Sequence, residues 1–113
     1  MLKIYHNTRC SKSRQALELI NNAGQEVEVV EYLKTPPTAD ELRQVLRKLN
    51  MKPEQLLRKG EAVYKEQYKG KELTDEEWIQ AMVENPVLIE RPIVVKDEQA
   101  VVGRPPENVL TIL

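Results

Sequence analysis

The chain is 113 residues long and 31% charged, with a formal net charge of -1, one cysteine and one histidine. A chain of that size can bury one core without disulfide or metal staples, and its balanced charge supplies no global attraction for nucleic acid or anionic lipid. A single cysteine excludes an internal disulfide, and one cysteine with one histidine falls short of the ligand count of a zinc site.

No apolar run nears the roughly 20 residues that span a bilayer, and "MLKIYHN" lacks the apolar core of a secretory signal. The expectation is a cytoplasmic protein with no nucleic-acid or membrane partner, monomeric by default. "LKIYH" alternates apolar and polar residues and predicts a strand over 2–6. A helix should follow from about Ser11 to Asn22, with Ala16, Leu17, Leu19 and Ile20 as its buried stripe and Gly24 closing it. "EVEVVEYL" predicts a second strand around Val27, Val29, Val30 and Tyr32, so the first third reads β-α-β with parallel strands.

"KTPPT" then breaks the chain. Thr38 with Glu41, and Thr74 with Glu77, have the spacing of capping boxes, predicting helices to about residue 49 and up to Asn85-Pro86. Pro53 suits the first turn of a short helix, and 61–73 reads as short helix or loop. After this helical block the period changes. Apolar runs at 93–95 and 100–102 flank "KDEQ" as a hairpin, and Pro106 with "ENVLTIL" suggests a final helix. The order β-α-β, helical block, β-β-α implies a small mixed α/β sheet with helices against it. The methionines, Tyr5, Tyr32 and Trp78 read as packing, and Arg43, Arg47 and Lys59 as solvent-facing.

The segment "HNTRCSKSR" places Cys10 at the strand-to-helix junction, where free backbone N–H groups and the helix dipole favour a thiolate. Arg9, Lys12 and Arg14 crowd positive charge there. Cations in a first turn are unfavourable by roughly 0.3 to 1 kcal/mol each unless an anion is present. A lone intracellular cysteine is commonly an inert small hydrophobe, but this position makes Cys10 a candidate nucleophile. His6 reads either as a packed side chain or as support for the thiolate. Ser11 and Ser13 read as helix-start caps, either of which could also bond an anion.

The hairpin adds a second line of argument. With Asp97-Glu98 as a two-residue loop, Lys96 faces Gln99, Val95 faces Ala100, Ile93 faces Val102 and Arg91 faces Arg104. Like charges opposed across a ladder are unfavourable, and each of these arginines precedes a proline. Two cations on stiffened backbone form a fork suited to an oxyanion.

The residues also resemble a known family, the ArsC-type arsenate reductases of the thioredoxin-like group. The likeness runs through "KIYHNTRCSKSRQALELI", "YLKTPPTADEL", "LLRKGE", "NPVLIERPIVV" and "GRPPENVLTIL", nearly the whole chain. It is similar above all to the arsenate-reductase-like branch, whose active loop reads Arg-Cys-Ser-Lys-Ser-Arg. The resemblance implies one thioredoxin-like domain over 1–113, with a four-stranded sheet and a helical insertion at about 38–85. It implies Cys10 as nucleophile and an arginine triad of Arg58, Arg91 and Arg104. It also implies an oxyanion loop with His6, Asn7, Ser13 and Arg14, and a cis bond before Pro92. No bound cofactor is implied. Arsenate would be the substrate, with glutathione as co-substrate and glutaredoxin as partner. Thr8 stands where the family commonly has proline, and Ser11-Lys12 where the best-known arsenate enzymes have Gly-Thr. Two other readings stand beside it: a glutathione-dependent thiol-disulfide oxidoreductase, and an Spx-like regulator of RNA polymerase. Spx-type loops usually carry Cys-x-x-Cys, which Cys10-Ser11-Lys12-Ser13 lacks.

Overall fold

In the computed structural model, which describes residues 2–113, strand β1 (Leu2–His6) lies at the centre of a mixed sheet. It pairs in parallel with β2 (Val27–Glu31) and antiparallel with β3 (Ile93–Lys96), and β4 (Gln99–Val102) completes the order β2-β1-β3-β4. Helix α1 (Ser11–Asn22) makes the crossover between the parallel strands. One face of the sheet is closed by α1 and a C-terminal 3-10 helix (Pro106–Ile112) over a core of Leu2, Ile4, Ala16, Ile20, Val94, Val109 and Ile112. The strand period explains this selection. Leu2, Ile4 and His6 share one face of β1, and the helix period puts Ser13, Ala16 and Ile20 on the facing side of α1. This is the thioredoxin-like architecture expected from the sequence.

Several boundaries differ from expectation for identifiable reasons. Ser13 belongs to the buried stripe of α1, whereas Leu17 and Leu19 are only partly buried at its margin. β2 stops at Glu31 because the N–H groups of Lys34 and Thr35 both turn back to the Glu31 carbonyl at 2.9 Å. Gly24, just beyond α1, has φ +73°, a left-handed conformation that glycine adopts without Cβ strain. The hairpin has the expected register, Lys96 opposite Gln99 and Ile93 opposite Val102, with Asp97 taking the left-handed position (φ 54°) that glycine more often fills.

The chain clusters into two units: residues up to Thr35 with Arg91–Leu113, which hold the sheet, and Pro36–Glu90, which is helical. In the helical unit, α2 (Ala39–Leu49) and α4 (Asp75–Glu84) start at Thr38 and Thr74, and both capping boxes are complete. Each such cap is worth about 1 kcal/mol. Between them lie a 3-10 turn (Pro53–Leu56) and α3 (Ala62–Gln67), and a second 3-10 turn (Pro86–Leu88) follows α4. α4 packs on α2. The Tyr64 and Tyr68 rings lie 6.3 and 5.9 Å from that of Trp78, which confirms its packing role.

Candidate active site

β1 ends and α1 begins within a single turn. The Cys10 N–H donates to the Asn7 carbonyl at 3.1 Å, and the Cys10 carbonyl accepts the first helical bond from the Arg14 N–H at 3.0 Å. Cys10 is therefore the N-cap, in extended conformation, with no acidic residue in the first turn of α1. The thiol is half-buried. Burial opposes its ionisation, but the Ser13 amide, the Arg91 guanidinium and the Lys12 amide outweigh that, holding the thiol below its ordinary value.

The same face-sharing that builds the core sets the support behind the sulfur. His6 Nδ1 and the Ser13 hydroxyl are 2.6 Å apart, and the Ser13 oxygen accepts the Asn7 N–H at 3.1 Å. With the amide on one lone pair, the hydroxyl proton is available to a neutral imidazole. Burial lowers the His6 pKa, Glu31 partly opposes the shift and Arg14 reinforces it. Asn7 Oδ1 accepts the Arg9 N–H at 3.0 Å, and Arg14 Nη1 donates to the Thr8 carbonyl at 2.9 Å, so both residues brace the turn.

The hairpin delivers the two cations. Arg104 Nη1 lies 3.8 Å from Cys10 Sγ and also donates to the Arg91 carbonyl at 3.3 Å. The ladder continues past the strand ends through a 2.8 Å bond from the Gly103 N–H to the Pro92 carbonyl, which keeps the two arginine-bearing segments side by side. The Arg91–Pro92 and Arg104–Pro105 bonds are both cis. The structure thus gathers Cys10, His6, Asn7, Ser13, Arg14, Arg91, Pro92 and Arg104 within the sheet unit. Arg58 belongs to the helical unit, where it pairs with Glu90 at 2.8 Å and Glu61 at 3.6 Å.

One contributor was not legible in the sequence. Asn108 Nδ2 donates to the carbonyls of Val102 and Arg104 at 3.3 and 3.2 Å, tying down the turn that carries Arg104. An asparagine after Pro-Pro reads as ordinary helix-start chemistry, and only the fold shows what it holds.

Comparison with known proteins gives the same frame. The ArsC family model matches residues 5–112. The Escherichia coli K-12 protein YfgD is 52% identical over 114 residues, covering 99% of this chain and 96% of its own. The E. coli K-12 arsenate reductase is 42% identical over 113 residues, covering 99% of this chain and 80% of its own. The solved arsenate reductase from Vibrio cholerae superposes with a TM-score of 0.95 at 46% identity, over 99% of this chain and 97% of that one. With a family model spanning almost every residue and a mixed sheet that overlays on a solved relative, the chain belongs to the ArsC family.

Proposed function

We propose that this chain is a cytoplasmic, monomeric arsenate reductase that uses Cys10 as its nucleophile and glutathione with glutaredoxin as its reductant. The observation that carries the reading is the half-buried Cys10 sulfur, its ionisation favoured by two helix-start amides and the Arg91 guanidinium, with Arg104 3.8 Å away. Relatives named arsenate reductase, such as that of E. coli K-12, support the choice of oxyanion.

The Cys10 thiolate attacks arsenic and displaces hydroxide, giving a Cys10–S–As(V) adduct without change of oxidation state. Thiolate and oxyanion repel by roughly 4 kcal/mol per unit charge pair at 4 Å and an effective dielectric near 20, so fixed guanidinium groups must offset this. The contacts of Arg91 and Arg104 with the Cys10 thiol support giving them this role, and the family resemblance adds Arg58 as the third. Glutathione then condenses with an As–OH group, releasing water. A glutaredoxin thiolate takes the glutathionyl sulfur as a mixed disulfide. Two electrons pass to arsenic, and hydrolysis of the Cys10–As(III) bond releases arsenite and the thiol. The single cysteine agrees with an external reductant, because the chain has no second thiol to resolve the adduct.

The test is NADPH-coupled turnover with glutathione, glutaredoxin and glutathione reductase, with either arsenate or a glutathione mixed disulfide as substrate. Arsenate-dependent oxidation lost in Cys10→Ser is expected. Turnover of the mixed disulfide alone would assign the chain to thiol-disulfide exchange instead. The iodoacetamide rate plotted against pH should inflect below the ordinary thiol value of ~8.5, because a depressed pKa keeps the thiolate populated as pH falls. An inflection at or above that value removes the activation argument.

A further inference from the structure

A cleft of about 200 Å³ flanks the catalytic turn on the side away from the hairpin, lined by His6, Asn7 and Arg9 from the turn and by Glu31, Leu33 and Lys34 from the end of β2. The mechanism above uses none of the charges on its walls. We propose that this cleft seats the small thiol that resolves the Cys10 adduct, an amino-acid-like thiol of the γ-glutamyl peptide class bearing carboxylates and an ammonium. This rests on the reading of Cys10 as a nucleophile that needs an external reductant.

Charge is the first argument. Among the described residues the Arg9 guanidinium makes no ion pair or hydrogen bond; only its backbone N–H is engaged, on Asn7. Lys34 meets Glu31 at 3.4 Å, with side chains 78% and 41% exposed. An exposed pair of this kind contributes little to stability, so a ligand can replace it without disturbing the fold. Cations and an anion around a single cleft complement one amino-acid end of such a molecule, its carboxylate meeting Arg9 or Lys34 and its ammonium meeting Glu31. A fully anionic oxyanion would leave Glu31 opposed.

Size and reach agree. At ~30 Å³ of liquid volume per water the cleft holds roughly six to seven waters, the room one amino-acid moiety needs. Leu33, 46% exposed, gives the cleft an apolar wall for the methylene chain of such a ligand. The turn doubles back, since the Cys10 N–H bonds the Asn7 carbonyl. Arg9, which lines the cleft, is the residue before Cys10, so a thiol anchored there by its carboxylate lies beside the residue that bears the sulfur. There RS–H and As–OH condense to RS–As and water, with no change in oxidation state.

The experiment titrates ¹⁵N-labelled Cys10→Ser protein with S-methylglutathione, which cannot react. Shifts confined to residues 7–9 and 31–34 are expected, with affinity weakened about tenfold in the Arg9→Ala/Lys34→Ala variant. In turnover Lys34→Ala alone, outside the basic turn, should raise the KM for glutathione several-fold and leave the KM for arsenate and the Cys10 pH profile unchanged. Shifts elsewhere, no shifts, or an unaltered KM for glutathione would overturn the proposal. An unreactive wild type toward arsenate defeats the enzymatic reading alone, because the titration still decides what the cleft binds.

Discussion

Gly103 stands where the hairpin meets the Pro92 loop, and its hydrogen atom there is a steric requirement. A Cβ at this position would lie 2.8 Å from Pro92 Cγ, 3.3 Å from Val109 Cγ1 and 3.4 Å from Ala16 Cβ. Carbon contacts are optimal at roughly 3.5–4.0 Å, so Gly103→Ala forces about 0.7–1.2 Å of movement. The proline ring has little freedom to yield, since its residue's carbonyl accepts the Gly103 N–H at 2.8 Å. Overpacking of this kind costs about 1–3 kcal/mol. In a domain of this length that corresponds to a melting midpoint lowered by about 4–12 °C. The displacement should reach function as well, because Arg91 precedes Pro92 and is one of the groups that favour the Cys10 thiolate. Thermal unfolding followed by circular dichroism, together with the pH profile of Cys10 alkylation, reads both effects. The comparison variant is Gly60→Ala, where nothing lies within 4 Å of the added methyl. If the two variants melt together and Gly103→Ala keeps the wild-type alkylation profile, the close approach has no mechanical consequence and the reasoning fails.

Arg91→Ala should reduce arsenate turnover by about 10²- to 10³-fold, the usual loss on deleting one transition-state donor. Arg43→Ala removes a guanidinium held on the surface by Glu76 and Asp40, and should stay within twofold of wild type; equal losses would dissolve the idea of an arginine fork. His6 binds its proton less readily in the folded state than at the ordinary value of ~6.5, so as pH falls the unfolded chain is protonated first. Its contribution to stability is complete above about pH 6.5 and declines as pH drops through the lower folded value. Urea midpoints of wild type and His6→Gln should therefore converge on acidification, and parallel curves would contradict a neutral imidazole. Asn108→Ala deletes both carbonyl contacts behind Arg104 and should lower kcat/KM for arsenate several-fold while shifting the alkylation inflection upward; an unmoved inflection with a lower midpoint would mark a structural role alone.

The elements carried strongest in the sequence were those with a local cause. Thr38-Glu41 and Thr74-Glu77 are complete capping boxes because the motif lies within one turn. The opposition of Val95 to Ala100 follows once a two-residue loop is assumed. Ser13 was harder to place. Its hydroxyl reads as a surface cap, and only the register of β1 against α1 turns it inward to His6. Arg58 came from family likeness alone, since nothing in "LLRKGE" distinguishes it from a solvent-facing arginine. Asn108 and Gly103 were silent because their roles depend on what the Pro92 and Arg104 turns bring near them.

The sheet unit is assembled from both ends of the chain, with residues 36–90 between its halves. Cys10 is synthesised early, and the guanidinium that reaches its sulfur follows 94 positions later. Looping out the intervening stretch costs about 3.5 kcal/mol from its length alone, which the contacts between the two ends must offset. Until that contact forms, the Ser13 and Lys12 amides at the start of α1 act on the thiol without the guanidinium groups from the far end of the chain. A copy truncated before Arg91 thus keeps the amides that favour the thiolate and loses the guanidinium that joins them.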